Sequence, residues 1–216
     1  MNLARHDLVY VLPLAWRALI ASRDDADELV VEWADRGWPL VARRYADDEH
    51  NGIALGLPLP PSLGKRRLSF NVNERDIVEI TQPPLLDDAI AFVPLAWRGT
   101  LERIVAMASS FGVEPRVFGS LAWQTLTGLD YLSPTSDLDL LVPMPEAADV
   151  RAFTARLAAI EADAPMRLDG ELVRGDGIAA NWREIHANTS EVLVKRLRNV
   201  ALAEAHRFLD GAALPC

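Results

Sequence analysis

Two stretches of this chain hold residue types that do chemistry when they are brought side by side. They are Val117-Phe118-Gly119-Ser120 and Ser136-Asp137-Leu138-Asp139-Leu140-Leu141. The first reads as a short apolar strand leaving through a Gly-Ser turn into a helix. Gly119 allows backbone to come close to a bulky anion. Ser120 follows where unpaired N–H groups and the helix dipole attract phosphate. In the second stretch, carboxylates alternate with leucines. Residues i and i+2 of a strand share a face, so Asp137 and Asp139 project together while Leu138 and Leu140 turn to a core. Side-by-side carboxylates repel unless a cation sits between them, and the usual one is a hard divalent ion held by oxygen. A Gly-Ser pair alone is an ordinary turn, and alternating acids alone make a solvent-facing strand. Together, in this order, they predict metal-assisted phosphoryl or nucleotidyl transfer.

Two-metal chemistry of that kind wants a third carboxylate, as a metal ligand or as a base. Leu168-Asp169-Gly170-Glu171-Leu172 offers two on one strand face, Asp169 first and Glu171 as the alternative. Glu184, in Asn181-Trp182-Arg183-Glu184, is placed on the partner strand as a weaker candidate. Lys195, within Val192-Leu193-Val194-Lys195-Arg196-Leu197, is a cation beside an apolar stripe that either reaches phosphates or snorkels to solvent. His6, His50, His186 and His206 show no metal-ligand spacing, and no Ser-His-Asp arrangement is readable. Trp123 and Trp182 lie near these motifs in sequence and are expected to pack in a core.

These residues must be positioned by a chain of 216 residues that is 50% hydrophobic and 25% charged, enough for one large domain or two small ones. The formal net charge of −9 argues against a nucleic-acid partner, which needs clustered positive charge. Local basic groups remain: Arg43-Arg44 and Lys65-Arg66-Arg67, either a solvated face or a pocket for a phosphorylated small molecule. One cysteine, Cys216, leaves no disulfide framework, as expected in a reducing cytoplasmic setting. The apolar stretch near Val9 reads as a buried strand and not as a signal peptide, and no apolar run approaches the length of a membrane span.

The element pattern predicts an α/β (α+β) chain in two domains, residues 1–85 and 86–216. In the first, strands are expected at 8–12, 40–44 and 53–57, helices at 13–21 and 25–36, and a strand or hairpin at 68–80. The second helix is placed after Asp24-Asp25. Pro83-Pro84 makes a linker. The second domain alternates: helix 94–111, strand 116–118, helix 120–127, strand 137–143, helix 145–163, a hairpin of 166–173 with 177–184, and a last helix from Ser190 to Asp210. Pro-Leu-Ala-Trp-Arg occurs at 13–17 and again at 94–98, read as two similar helix starts.

Residues 117–141 resemble the nucleotidyltransferase superfamily typified by DNA polymerase β, whose motif is Gly-Ser followed by Asp-x-Asp. The longer string Val-Phe-Gly-Ser-Leu-Ala-Trp-Gln-Thr-Leu-Thr-Gly-Leu-Asp-Tyr … Ser-Asp-Leu-Asp-Leu-Leu is more particular. It is similar to the phosphoribosyl-dephospho-CoA transferases of the malonate decarboxylase system (holo-acyl-carrier-protein synthases). Further matching pieces are Arg5-His6-Asp7, Pro39–Arg44, Gly56–Pro60 leading to Gly64–Arg67, Asp169–Leu172 and Trp182-Arg183-Glu184. The resemblance implies a catalytic domain with a small mixed sheet flanked by helices, and a smaller α+β N-terminal domain. It implies transfer of phosphoribosyl-dephospho-CoA from its triphosphate donor to a serine of an apo acyl-carrier subunit, with release of pyrophosphate. Carried over, Asp137, Asp139 and Asp169 hold Mg²⁺ (or Mn²⁺), Gly119 and Ser120 hold phosphates, and Asp169 helps deprotonate the serine; Lys195 is a further phosphate candidate from its own place in the sequence. Arg43, Arg44, Lys65, Arg66 and Arg67 would recognise the donor or the carrier. The other readings are a different metal-dependent adenylyltransferase and a non-catalytic binding module of the same fold.

Overall fold

In a computed structural model, residues 3–21, 23–24, 26–46, 49 and 51–214 are described. Asp25, His50 and Cys216, singled out above, lie outside the described residues. The chain forms two units, divided between Pro83 and Pro84.

The N-terminal unit is an antiparallel sheet with two helices. Its strands are β1 (Leu8–Val11), β2 (Leu40–Ala42), β3 (Ile53–Pro58), β4 (Arg67–Val72) and β5 (Ile77–Thr81), in the order β4-β3-β2-β1-β5. Helix α1 (Pro13–Ile20) follows β1, and α2 (Glu28–Glu32) precedes β2. Period-2 patterning builds the core: Val9, Leu40, Ala42, Leu55, Leu57, Leu68, Phe70 and Val72 are buried on one face. Trp16 of α1 meets Phe70 of β4 at 4.7 Å between rings and donates its indole N–H to the Val30 carbonyl at 2.8 Å. One buried tryptophan thereby fixes α1 against both the sheet and α2. The α2 cap is Asp27, which accepts from Val30 N at 3.1 Å, so the helix starts later than the Asp24-Asp25 pair suggested. Residues 68–80 do form two strands, β4 and β5. They are not partners, because β5 pairs with β1 at the far edge of the sheet.

The C-terminal unit is a six-stranded mixed sheet: β6 (Arg116–Val117), β7 (Leu138–Pro143), β8 (Leu168–Val173), β9 (Ala179–Asn181), β10 (Glu191–Lys195) and β11 (Val200–Glu204). The order is β11-β10-β9-β8-β7-β6, with only β7 and β8 parallel. The helices are α3 (Leu86–Ala89), α4 (Leu95–Ser109), α5 (Gly119–Thr127), α6 (Val150–Glu161), α7 (Trp182–His186) and α8 (Ala205–Leu209). A parallel pair needs a crossover, and α6, capped by Asp149 at Ala152 N, supplies it. Leu138, Leu140, Val142, Leu168, Leu172, Ala180, Val192 and Val194 are buried with Leu101 and Ile104 of α4 and Phe153 and Leu157 of α6. The α+β class therefore holds. Both copies of Pro-Leu-Ala-Trp-Arg do start helices, and each buries its tryptophan, Trp16 and Trp97.

Two expectations are corrected. Residues 190–210 are not one helix: they form β10, a turn closed by Arg196 N to the Asn199 carbonyl at 2.9 Å, β11 and the short α8. Burial of Val192 and Val194 between exposed Glu191 and Leu193 has period 2, and pairing of β10 with β9 satisfies that pattern, which a helix could not. Lys195 thus sits on a strand. Glu184 is likewise in α7 and not on a strand, because Asn181 caps that helix by accepting from Arg183 N at 2.9 Å.

Beyond β2, Arg43 grips Glu49 through two guanidinium nitrogens while donating to the carbonyls of Leu55 and Arg44. The Arg43 hydrogen bonds, helped by the backbone N–H of Ala46, lower the Glu49 carboxyl to about 2. A depressed folded-state pKa gives stability that is present above the ordinary carboxylate value and lost as pH falls toward the folded one. Glu49→Gln is expected to lower stability at neutral pH and to flatten the acid limb of urea-unfolding stability measured from about pH 4.5 down to about 2.

Candidate active site

The site is built on the sheet face of the C-terminal unit opposite the α4–α6 core. At its centre the turn between β6 and α5 meets β7. Phe118 N donates to the Asp139 carbonyl at 3.1 Å, tying the turn to the strand. Gly119 then takes φ +63°, and a Cβ there would lie 1.9 Å from Asp139 Oδ2 and 2.8 Å from its Cγ. Only glycine permits this, both for the left-handed backbone and for the space. The first turn of α5 therefore stands against a carboxylate, and no side chain caps it at Phe118 among the described residues.

The Asp-bearing strand is returned to this turn by a pinned loop. Gln124 of α5 accepts at one oxygen from Tyr131 N and Leu132 N, each at 3.0 Å, and donates to the Phe92 carbonyl at 2.6 Å. Ser136 Oγ accepts from Ser133 N at 2.9 Å, just ahead of Asp137. Trp123 and Tyr131 are buried under the loop, and burial pushes the Tyr131 phenol up. Trp182 is also core, donating to the Leu168 carbonyl at 3.2 Å. Both tryptophans thus pack as expected.

The parallel register sets Asp139 beside Asp169. Neighbouring strands lie about 4.8 Å apart, so these carboxylates stand side by side on one face. Gly170 is opposite Leu140, where a Cβ would meet the Leu140 carbonyl at 2.8 Å, so glycine lets the two strands close up. Asp169 Oδ1 accepts from Gly170 N at 2.8 Å and from the Asn181 amide at 3.1 Å. Asp137 lies just before β7, 37% exposed, with Arg167 at 3.4 Å. Glu171, the alternative third acid, is 4% exposed and is paired with Lys195 at 2.8 Å. Asp169 is the better-placed of the two. Glu184 is engaged elsewhere, its carboxylate accepting from Leu193 N of β10 at 2.7 Å.

Among the described residues no three His, Cys, Asp or Glu side chains form a ready-made metal shell. Mg²⁺ does not need one, since it usually takes one or two carboxylates with substrate phosphates and water. The Asp139 carboxylate set against the start of α5 by Gly119 fits such a partial shell. A phosphate at this turn would face Asp139 and Asp169 directly, and a cation between them relieves the repulsion.

The remaining candidates belong to the N-terminal unit. Arg44, Lys65 and Arg67 are exposed. Arg43 is engaged by Glu49, and Arg66 contacts Asp27 at 3.2 Å. Two residues in contact with the acids had not been picked out from the sequence, Arg167 and Asn181. The sequence signal for Asn181 was its cap position before Trp-Arg-Glu. Gly119→Ala is expected to lower turnover by about 10²–10³-fold, as loss of a fixed anion-binding group does, and to cost about 1–2 kcal/mol in urea unfolding from its backbone.

Both units match family models. Residues 4–83 match the phosphoribosyl-dephospho-CoA transferase MdcG N-terminal domain, and residues 85–206 match the corresponding C-terminal domain. A phosphoribosyl-dephospho-CoA transferase of Bradyrhizobium diazoefficiens is 49% identical over 96% of this chain and 93% of its own length. One of Xanthomonas euvesicatoria pv. vesicatoria is 38% identical over 97% of this chain and 95% of its own. No solved structure matches the chain. Gly119, Asp139 and Asp169 thus stand together in a chain whose two units are both accounted for by one enzyme family, and the chain belongs to the phosphoribosyl-dephospho-CoA transferases.

Proposed function

We propose that this enzyme moves phosphoribosyl-dephospho-CoA from its triphosphate donor, 2'-(5''-triphosphoribosyl)-3'-dephospho-CoA, to a serine of the apo acyl-carrier subunit of malonate decarboxylase. The serine oxygen bonds to the α-phosphorus, the bond from that phosphorus to the β-bridging oxygen breaks, and pyrophosphate leaves. The observation that carries this reading is the approach of the Gly119 backbone to Asp139, with Asp169 one strand away. That arrangement supports a reading in which a polyphosphate lies next to the acids.

The backbone of Gly119 and Ser120 holds the β and γ phosphates at the start of α5. Asp169 orients the serine hydroxyl and takes its proton as the new bond forms. Lys195, held in place by Glu171, adds positive charge on the same sheet face. Mg²⁺ (Mn²⁺ as the alternative) would be held by Asp137, Asp139 and Asp169 and would neutralise charge developing on the phosphates. Arg44, Lys65 and Arg67, with Arg43 and Arg66 shaping their turns, recognise the donor or an acidic carrier. A net charge of −9 supports a local basic patch over bulk polyanion binding. The setting is cytoplasmic. Among the described residues no helix is long and apolar enough to cross a membrane.

Mass spectrometry of the apo carrier after incubation with enzyme, Mg²⁺ and triphosphate donor is expected to show one added phosphoribosyl-dephospho-CoA, with pyrophosphate released. The Asp137→Ala, Asp139→Ala double variant should give none. Labelling from ATP alone would identify an adenylyltransferase instead, and a folded double variant that still modifies the carrier would remove the acids from the mechanism.

A further inference from the structure

Asn181 ends β9 half-buried, opposite Glu171 of β8 and diagonal to Asp169. Its side chain is engaged at both ends. The oxygen accepts from Arg183 N at 2.9 Å, capping α7, and the amide nitrogen donates to Asp169 Oδ1 at 3.1 Å. The amide has one possible orientation. Arg183 N is a donor and needs the oxygen, while an ionised carboxylate only accepts and needs the NH₂. The cap therefore locks the donor toward Asp169. The Gly170 N–H falls on the same oxygen at 2.8 Å. Two donors converge on Oδ1, and Oδ2 has no hydrogen bond among the described residues.

From this geometry we infer that Asn181 is a positioning residue. It holds Asp169 by Oδ1 so that Oδ2 is the oxygen presented to the reacting hydroxyl. The inference rests on the assignment of Asp169 to the acceptor side of the reaction. A carboxylate on a short side chain rotates about χ2 with little resistance. The Asn181 bond removes that freedom from the side opposite the site, and the helix cap removes it from Asn181 in turn. Supporting partners of this kind typically alter affinity or activity by about 10–100-fold when removed.

Asn181→Ser separates the two jobs of the side chain. Serine is a good helix cap but too short to reach Asp169. The expected result is a melting temperature within about 2 °C of the parent, a donor KM within about twofold, and a kcat lower by about 10–100-fold. Asn181→Ala loses the cap as well and should melt lower. In an Asp169→Ala background, measured by carrier mass spectrometry over long incubations, Asn181→Ser should cause no further loss, because no carboxylate remains to be held. Full kcat in Asn181→Ser with an intact effect of Asp169→Ala would overturn the positioning role alone. Equal losses from Asn181→Ser in both backgrounds would mark a structural role and overturn it too. Parental kcat in Asp169→Ala would instead overturn the assignment of Asp169, together with the inference that depends on it.

Discussion

The structure of the C-terminal unit depends on one close approach, that of the Gly119 backbone to the Asp139 carboxylate. A Cβ in that space would fall 1.9 Å from Oδ2. The positive φ at Gly119 turns the chain out of β6 and straight into α5, so the helix begins against the acid and not a turn away from it. Everything nearby serves to hold that distance. Phe118 is bonded to the Asp139 backbone, Gln124 pins the returning loop, and the Leu138, Leu140 and Val142 side chains anchor β7 in the core. Asp139 and Asp169 are neighbours across a parallel pair, and anion-seeking helix N–H groups face them. A polyphosphate with its cation would meet these groups together, and this is the ground for the proposed phosphoryl chemistry.

The same face holds a second charged arrangement with a different function. Glu171 and Lys195 are linked across β8 and β10, with Glu171 almost wholly buried. Buried pairs of this kind contribute little net stability, but removing one partner strands a charge and typically costs about 3–5 kcal/mol. Glu171 is therefore engaged by Lys195, which makes Asp169 the better-placed of the two acids for the proposed role. Placement on a strand, and not on the helix expected from sequence, is what gives Lys195 its fixed direction onto this face.

How much of this the sequence revealed follows from the range of each interaction. Gly119-Ser120 and Asp137-x-Asp139 were readable because local rules govern them: a positive-φ glycine at a turn, and period 2 in a strand. The α4 segment was readable from its apolar stripe and end signals, α5 from the Gly-Ser turn before it, and α6 from its amphipathic pattern, though it starts at Val150 and not at Pro145. Residues 190–210 misled because Val192, Leu193, Leu197, Val200 and Leu202 also fit a helical stripe, and only pairing to β9 decides between the two periods. At 68–80 the strand reading holds and the hairpin alternative does not, since a turn does not reveal that its strands go to opposite edges. Arg167 and Asn181 were hidden for a related reason: their partners Asp137 and Asp169 lie 30 and 12 residues away, and only the register of β7, β8 and β9 brings them together.

The account is tested most directly by the anomalous scattering of Mn²⁺ in crystals of the enzyme soaked with the triphosphate donor. The expected map has a Mn²⁺ peak in contact with the Asp139 carboxylate and with triphosphate oxygens, and those phosphates rest on the backbone of Gly119 and Ser120. A donor triphosphate seated away from Gly119, with no Mn²⁺ peak at Asp139, would contradict it.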